Sequence, residues 1–319
     1  MTGATGPETP DRAAIRAVAG RIFSTSIDFT VTRVAEGVST SVYRIERGAE
    51  TFYCRVLPEA GASFLPEAEV HRLLRERGVK VPEVVYVARY DERLERPVML
   101  TTAIKGYPIG HCPADPNVPN ILIEAGHDLA RINQIPVTGF GWITRDQPER
   151  GRLEAEYLTY RAFVAAYLDA ALATLREHLL DADEIAAIRA ILDRHDSWLD
   201  SHDAWLAHGD FDATHIYQEG GRYTGIIDFG EIRGSDRWYD LGHFRMHDGE
   251  TLPMPALPWL LKGYRAVTPL PDDDERRMSF TSLLIALRAL ARLLMMNRQT
   301  AYRDHALASV RREVALLSP

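Results

Sequence analysis

Residues 29–57, FTVTRVAEGVSTSVYRIERGAETFYCRVL, hold three runs rich in Val, Thr, Tyr and Phe, parted by the polar breaks EG and ERGAE. β-Branched and aromatic residues in short runs between glycine-containing turns predict an antiparallel meander. A helix is expected over 67–77, with Val70, Leu73 and Leu74 on one side, then two more strands in VPEVVYVARY (81–90) and RPVMLTTAI (96–104). After Lys105-Gly106 the period becomes helical, and helices are predicted over 121–133, 154–178, 183–199, 259–267, 275–296 and 301–317. In 275–296, Leu283, Leu287, Leu290 and Leu294 recur at four-three-four spacing, the mark of a helix with one buried face. Strands return only in HIYQ (215–218) and RYTGIIDF (222–229), around the turn Glu219-Gly220-Gly221. The pattern describes an α+β chain with a small antiparallel β lobe, 1–103, and a larger, mainly helical lobe, 104–319.

Composition narrows the class. A chain of 319 residues, 46% hydrophobic and 26% charged, has enough apolar material for two lobes around sizeable cores. The opening MTGATGPETPDR lacks the basic stretch and apolar run of a signal peptide and reads as a flexible leader. The apolar run 283–296 is interrupted by Arg288 and Arg292 and is shorter than the roughly 20 residues a membrane span requires. Cys54 and Cys112 cannot build a disulfide framework, and Cys54 lies in an apolar strand as a small hydrophobe. These features predict a cytoplasmic protein that does not enter a membrane. The net charge of −8 argues against a nucleic-acid partner and favours a cationic ligand. The acidic PDDDE (271–275) suits the start of a helix better than a metal site.

The chemistry concentrates in HGDFDATHIYQ (208–218): His208-Gly209-Asp210, four residues, His215, and later Asp228-Phe229-Gly230. The protein-kinase catalytic loop has the form His-Arg-Asp, four residues, Asn, followed by Asp-Phe-Gly. The spacing matches position for position, and with His-Gly-Asp at its head the segment resembles the aminoglycoside phosphotransferase family. The resemblance spans residues 29–317 and implies a bilobal protein-kinase-like fold that uses ATP and Mg2+ to phosphorylate a small-molecule hydroxyl.

Carried over residue by residue, the resemblance makes Asp210 the base that takes the acceptor proton and His208 the residue that steadies the loop. Asp228 becomes a magnesium ligand, since magnesium prefers hard carboxylate oxygens. His215 stands where the family has asparagine, and macrolide-phosphorylating relatives are similar in carrying histidine there. In the first lobe, Gly37 and Ser39 would fold over the phosphates, and Arg55 takes the place of the phosphate-binding lysine. Its acidic partner is Glu67 in preference to Glu69, and the backbone of Thr102 and Ile104 would meet adenine. Asp212 and Glu231 would receive the acceptor, with Asp236, Asp248 and Glu250 as further acids. Asp240 is expected to brace the catalytic loop.

TGFGW (138–142) resembles a segment of hygromycin-type kinases and reads equally as a turn with buried aromatics. Arg288 and Arg292 could meet an anionic acceptor or pair with nearby acids. No nucleophile adjoins Asp210, so direct transfer is expected, by a monomer or homodimer. The leading acceptor is an aminoglycoside-like or macrolide-like antibiotic, followed by a metabolic alcohol or sugar. Two other classes compete: a metal-dependent hydrolase, suggested by His208, Asp210, His215, Asp228 and the pair His243 and His247 of HFRMH, which could share a helix face and a zinc ion, and an inactive nucleotide-binding regulator. HFRMH lacks the glutamate of the zinc-protease motif, and both Asp210 and Asp228 are retained.

Overall fold

The computed structural model describes residues 12–23, 28–34, 40–59, 61–111, 115–146, 152–297 and 300–318. The leader up to Asp11, the phosphate-loop candidates Gly37 and Ser39, and Cys112 lie outside the described residues. The chain divides into two compact units, Met1–Lys105 with Thr144–Arg152, and Gly106–Ile143 with Leu153–Pro319.

The smaller unit is an antiparallel sheet with helices. It runs α1 (Arg12–Phe23), β1 (Thr30–Val34), β2 (Ser41–Arg47), β3 (Glu50–Val56), α2 (Leu65–Glu76), β4 (Val84–Asp91) and β5 (Arg96–Thr102). The strand order is β1-β2-β3-β5-β4. Period-two burial along β2 and β3 places Tyr43, Ile45, Phe52, Cys54 and Val56 on one face, where Ile15, Val18, Ala19 and Phe23 of α1 cover them. Helix α1 was not anticipated, although these apolar residues follow helical spacing. A second cluster joins Leu57, Phe64 and Met99. Burial in that core pushes the Cys54 thiol up to about 12, so it stays protonated.

The larger unit interleaves helices with short strands: β6 (Tyr107–Pro108), α3 (Val118–Ile132), β7 (Pro136–Val137), β8 (Phe140–Ile143), β9 (Ala155–Tyr157), α4 (Tyr160–His178) and α5 (Ala182–Arg194). Then follow β10 (Ala204–Ala207), β11 (Ile216–Glu219), β12 (Arg222–Ile226), β13 (Arg233–Ser235), α6 (Tyr239–His247), α7 (Leu257–Val267), α8 (Asp274–Met295) and α9 (Ala301–Leu317). One sheet is ordered β7-β10-β13-β8-β9 and another β12-β11-β6. Two predicted helices come out shorter. Residues 155–157 pair with β8 as a strand, and α4 begins only where the Thr159 side chain caps it, accepting from the Ala162 N–H at 3.1 Å. Helix α5 stops at Arg194, before a tight turn over 196–199.

Helix packing fixes what lies beneath the site. A Cβ on Gly263 would lie 1.9 Å from the Ile123 carbonyl oxygen, and one on Gly126 2.2 Å from that of Leu260, so α3 and α7 touch backbone to backbone. Helix α8 would suffice by length and composition to cross a membrane, but 67% of its most apolar window is buried inside the protein. Of its leucine stripe, Leu283, Leu287 and Leu290 are fully buried, while Leu294, in the last turn, is only half-buried. Glu313 of α9 is also fully buried, accepting from Arg245 Nε of α6 at 2.9 Å and from Ser279 Oγ of α8 at 2.6 Å. An acid so placed is tolerated because cations and hydroxyls surround it.

Candidate active site

Buried strand β10 delivers the chain to His208, and the loop beyond it hangs on one carboxylate. Asp240, in the first turn of α6, has no solvent exposure. Its Oδ2 accepts the His208 N–H at 2.9 Å and the Asn133 amide at 2.8 Å, and its Oδ1 accepts the Gly209 N–H at 2.9 Å. Asn133, just past α3, also donates to the Leu206 carbonyl at 3.0 Å, which ties β10 to the same point. Asp240 therefore braces the loop. Gly209 has φ +91, and a Cβ there would fall 1.9 Å from the Glu231 carbonyl oxygen, so only glycine fits between His208 and Asp210.

His208 is locked as a neutral ring. Its Nε2 faces the Ile227 carbonyl at 2.8 Å, and its Nδ1 accepts the Asp210 N–H at 3.3 Å. Burial, helped by the charge of His215, holds its pKa below the usual histidine value. With Phe229 4.7 Å away, centroid to centroid, it joins the catalytic loop to the Asp-Phe-Gly turn.

On that frame stand the candidate site side chains. Asp210 keeps 45% of its side chain exposed and Asp228 52%. Asp228 adopts the left-handed conformation, φ 65, which aspartate tolerates better than most residues. His215 Nε2 lies 3.9 Å from Asp228 Oδ2, while its Nδ1 lies 3.4 Å from Asp212 Oδ1. Asp210 has a second neighbour that motif reasoning missed: His243 Nε2 of α6, 3.4 Å from its Oδ1. Burial pushes the Asp210 carboxyl up, but the hydrogen bond and charge of His243 outweigh it. The result lies well below the ordinary carboxylate range.

In the smaller unit, Arg55 forms an ion pair with Glu67 in the first turn of α2, and its guanidinium lies 5.3 Å from the Phe64 ring centre. Glu69 pairs instead with Arg72 at 2.6 Å. The Thr102 N–H already donates to the Glu83 carbonyl at 2.9 Å, and that of Ala103 to Thr51 at 2.9 Å. Ile104, next along, donates its N–H to nothing among the described residues.

Every acid named for the acceptor is engaged within the protein. Asp212 Oδ1 accepts from Thr214 N at 2.7 Å and Thr214 Oγ1 at 2.5 Å. Glu231 Oε2 accepts from Trp142 Nε1 at 2.9 Å and Arg233 at 3.2 Å. Asp248 accepts the Ala256 N–H at 2.8 Å ahead of α7, and Glu250 lies 2.5 Å from His247 Nδ1. Asp236 accepts the Trp238 N–H at 3.1 Å, and burial pushes its carboxyl up to about 7. Trp142, from TGFGW, is half-buried and belongs to a wall: Arg233 lies 4.9 Å and Arg288 4.1 Å from its ring centre. Arg288 also faces Tyr167 at 4.8 Å, and it has no hydrogen bond or ion pair among the described residues.

His243 and His247 do not suit the zinc reading. The Nδ1 atom of His243 faces the Phe211 carbonyl at 3.1 Å and that of His247 faces Glu250. Among the described residues no group of three or more His, Cys, Asp or Glu side chains is arranged to hold an ion.

A braced His-Gly-Asp loop beside an Asp-Phe-Gly turn, on an α+β frame with an Arg–Glu pair in its antiparallel unit, is the arrangement expected from the resemblance to kinase-like phosphotransferases. Residues 30–281 match the model of the APH phosphotransferase enzyme family, and the chain belongs to it. It is similar to hygromycin-B 4-O-kinase of Escherichia coli, 22% identical over 215 residues, 66% of this chain; the match spans only 60% of that protein's length. The fold is that of aminoglycoside phosphotransferase APH(4)-Ia, with 19% identity, a TM-score of 0.65 and coverage of 96% of this chain and 98% of that one. A candidate fructosamine-3-kinase from Thermobifida fusca is also similar, with 20% identity, a TM-score of 0.62 and coverage of 94% and 99%. A thermostable mutant of APH(4)-Ia has been solved as a ternary complex with ADP and hygromycin B.

Proposed function

We propose that the protein moves the γ-phosphoryl group of ATP to a hydroxyl of a small molecule. The observation that carries this is the pair of half-exposed carboxylates: Asp210, on a loop whose backbone is held by the buried Asp240 carboxylate, and Asp228. Phosphoryl transfer asks little covalent work of a protein; it needs an oriented hydroxyl, a carboxylate for its proton, and cations at the phosphates. Asp210 accepts the hydroxyl proton while the acceptor oxygen bonds to the γ-phosphorus and the bond to the ADP oxygen breaks. The ionised state of Asp210 suits that role. Asp228 would hold a magnesium ion through its half-exposed hard oxygen, with the His215 imidazole, a softer donor, 3.9 Å from that carboxylate at the edge of the same site. Bound there, magnesium would offset the charge of the phosphates. In the smaller unit, Arg55 backed by Glu67 serves the nucleotide phosphates, and Ile104 is the better backbone donor for adenine than Thr102, whose N–H is taken.

For the acceptor, the leading class is an antibiotic of the aminoglycoside type, on the likeness to hygromycin-B 4-O-kinase. One observation favours a second class. Asp212 and Glu231, the carboxylates expected to receive amino groups, are hydrogen-bonded internally, whereas the unpaired charge on the Trp142 wall is that of Arg288. An acceptor with an acidic or aromatic group matches such a wall.

The test is incubation of the purified protein with magnesium ATP and a panel holding hygromycin B, other aminoglycosides, macrolides, sugars, amino alcohols and sugar acids. Mass spectrometry should find one acceptor heavier by one phosphoryl group, and Asp210→Asn should abolish that gain. Full turnover by the variant, or the absence of any phosphorylated product, would contradict the reading.

A further inference from the structure

His243 stands between two acceptors. Its Nδ1 lies 3.1 Å from the Phe211 carbonyl oxygen and its Nε2 3.4 Å from Asp210 Oδ1. A carbonyl oxygen can only accept, and so can an ionised carboxylate, whereas a neutral imidazole has one N–H to give. Both contacts are satisfied together only if the ring and the carboxylate share one more proton than a neutral ring and an ionised acid carry. That proton belongs on the imidazole, intrinsically the stronger base by about two to three pKa units.

We propose that His243 is a positioning residue for phosphoryl transfer: as an imidazolium clamped between the Phe211 carbonyl and Asp210, it keeps the Asp210 carboxylate ionised and fixes its direction. The inference rests on Asp210 being the base. His243 lies outside the His-Gly-Asp and Asp-Phe-Gly motifs and follows Asp240 by three residues on α6, so one helical turn carries both the brace of the loop backbone and the clamp of its side chain.

The surroundings agree. Asp210 and Asp212 face the ring from the loop, and Tyr239 and His247 from its own helix, the His247 ring at 4.5 Å between centroids. From α9, Tyr302 and His305 lie against His247 at 5.5 and 6.2 Å, and Glu250 takes the His247 Nδ1 contact. The uncharged Thr281 and Ser282 of α8 meet α6 at Gly242. Burial lowers the His243 pKa, but the hydrogen bond and charge of Asp210, then Asp212, raise it further, so the net shift is upward. Asp210 shifts the other way. The ion pair thus spans a window from below the ordinary aspartate value to above the ordinary histidine value.

Two measurements test this. Imidazole nitrogen NMR of the 15N-histidine-labelled full chain should show one ring, absent from His243→Gln, that stays doubly protonated above the pH of a free histidine. In Asp210→Asn the same ring should titrate at lower pH. A ring already neutral at pH 6 in the unmodified chain overturns the proposal, and this readout needs no acceptor, so it stands apart from the proposed activity. The second is the pH profile of kcat/KM on whichever acceptor the panel identifies, or of slow ATP hydrolysis. His243→Gln keeps an N–H for Asp210 without the charge, and its acid limb should move up by at least one pH unit with KM for ATP unchanged. His243→Asn, which retains the donor to Phe211, should behave alike if the glutamine fails to fold. Superimposable profiles overturn the assignment, because a purely structural histidine would leave them in place.

Discussion

Asp240 and Asp210 serve the same loop and live in opposite conditions. Asp240 is sealed and accepts three hydrogen bonds, all from groups that hold the chain still. Asp210 is nearly half exposed, and the side-chain contact it makes is the one that sets its charge. The sealed carboxylate immobilises backbone, and the open one is left able to meet a substrate. Precision of the exposed group thus comes from polar saturation underneath it, which a low-dielectric interior makes strong.

Variants can break this division, since frame residues should change melting and edge residues turnover. Asp210→Asn should cost about 10²–10⁴-fold in kcat, with stabilisation by magnesium ADP retained in a thermal-shift assay. Asp240→Ala strands three donors and should cost ~3 kcal/mol or more, several degrees of melting temperature, with turnover lost alongside. Gly263→Ala forces a methyl into the Ile123 carbonyl and pushes α3, which leads to Asn133, off its place. We expect ~1–3 kcal/mol of destabilisation by denaturant melts, and a smaller loss would mean that α3 and α7 can separate without loosening the frame. Asp228→Asn should leave melting of the unliganded protein alone and weaken nucleotide binding only when magnesium is present, measured by calorimetry with and without the ion.

The smallest effect is one of pH. Asp236 keeps its proton in the folded state until about pH 7, whereas the unfolded chain loses it near the ordinary aspartate value. The folded state therefore binds more protons between those limits, and stability falls as pH rises through them. Asp236→Asn still accepts from Trp238 and should flatten that decline, giving a melting gain at pH 8 that is absent at pH 4.

Legibility in the sequence followed the range of the interactions. The meander, the α8 leucine stripe and the spacing from His208 to Asp228 are local patterns and were readable. The strands of the β7-β10-β13-β8-β9 sheet have two to four residues each, too short for a period to show. Helix α6 was missed because Tyr239 to Phe244 are buried on every side, so YDLGHF has no polar face to reveal it. Asn133 and Asp240 are 107 residues apart, and nothing near either announces the pairing. The partner of Asp210 escaped for a different reason: the sequence offers His243 only as one of a scattered set of metal-ligand candidates, and nothing in its spacing singles out the direct contact with Asp210.

The buried Glu313 gives the last helix a part in all this. It reaches back to Arg245, on the helix that carries Asp240 and His243, and to Ser279 on α8. The helix that carries Asp240 and His243 is thus pinned from behind by a residue 68 positions further along the chain than its Arg245, so a disturbance at Glu313 would be felt at the loop that this helix braces.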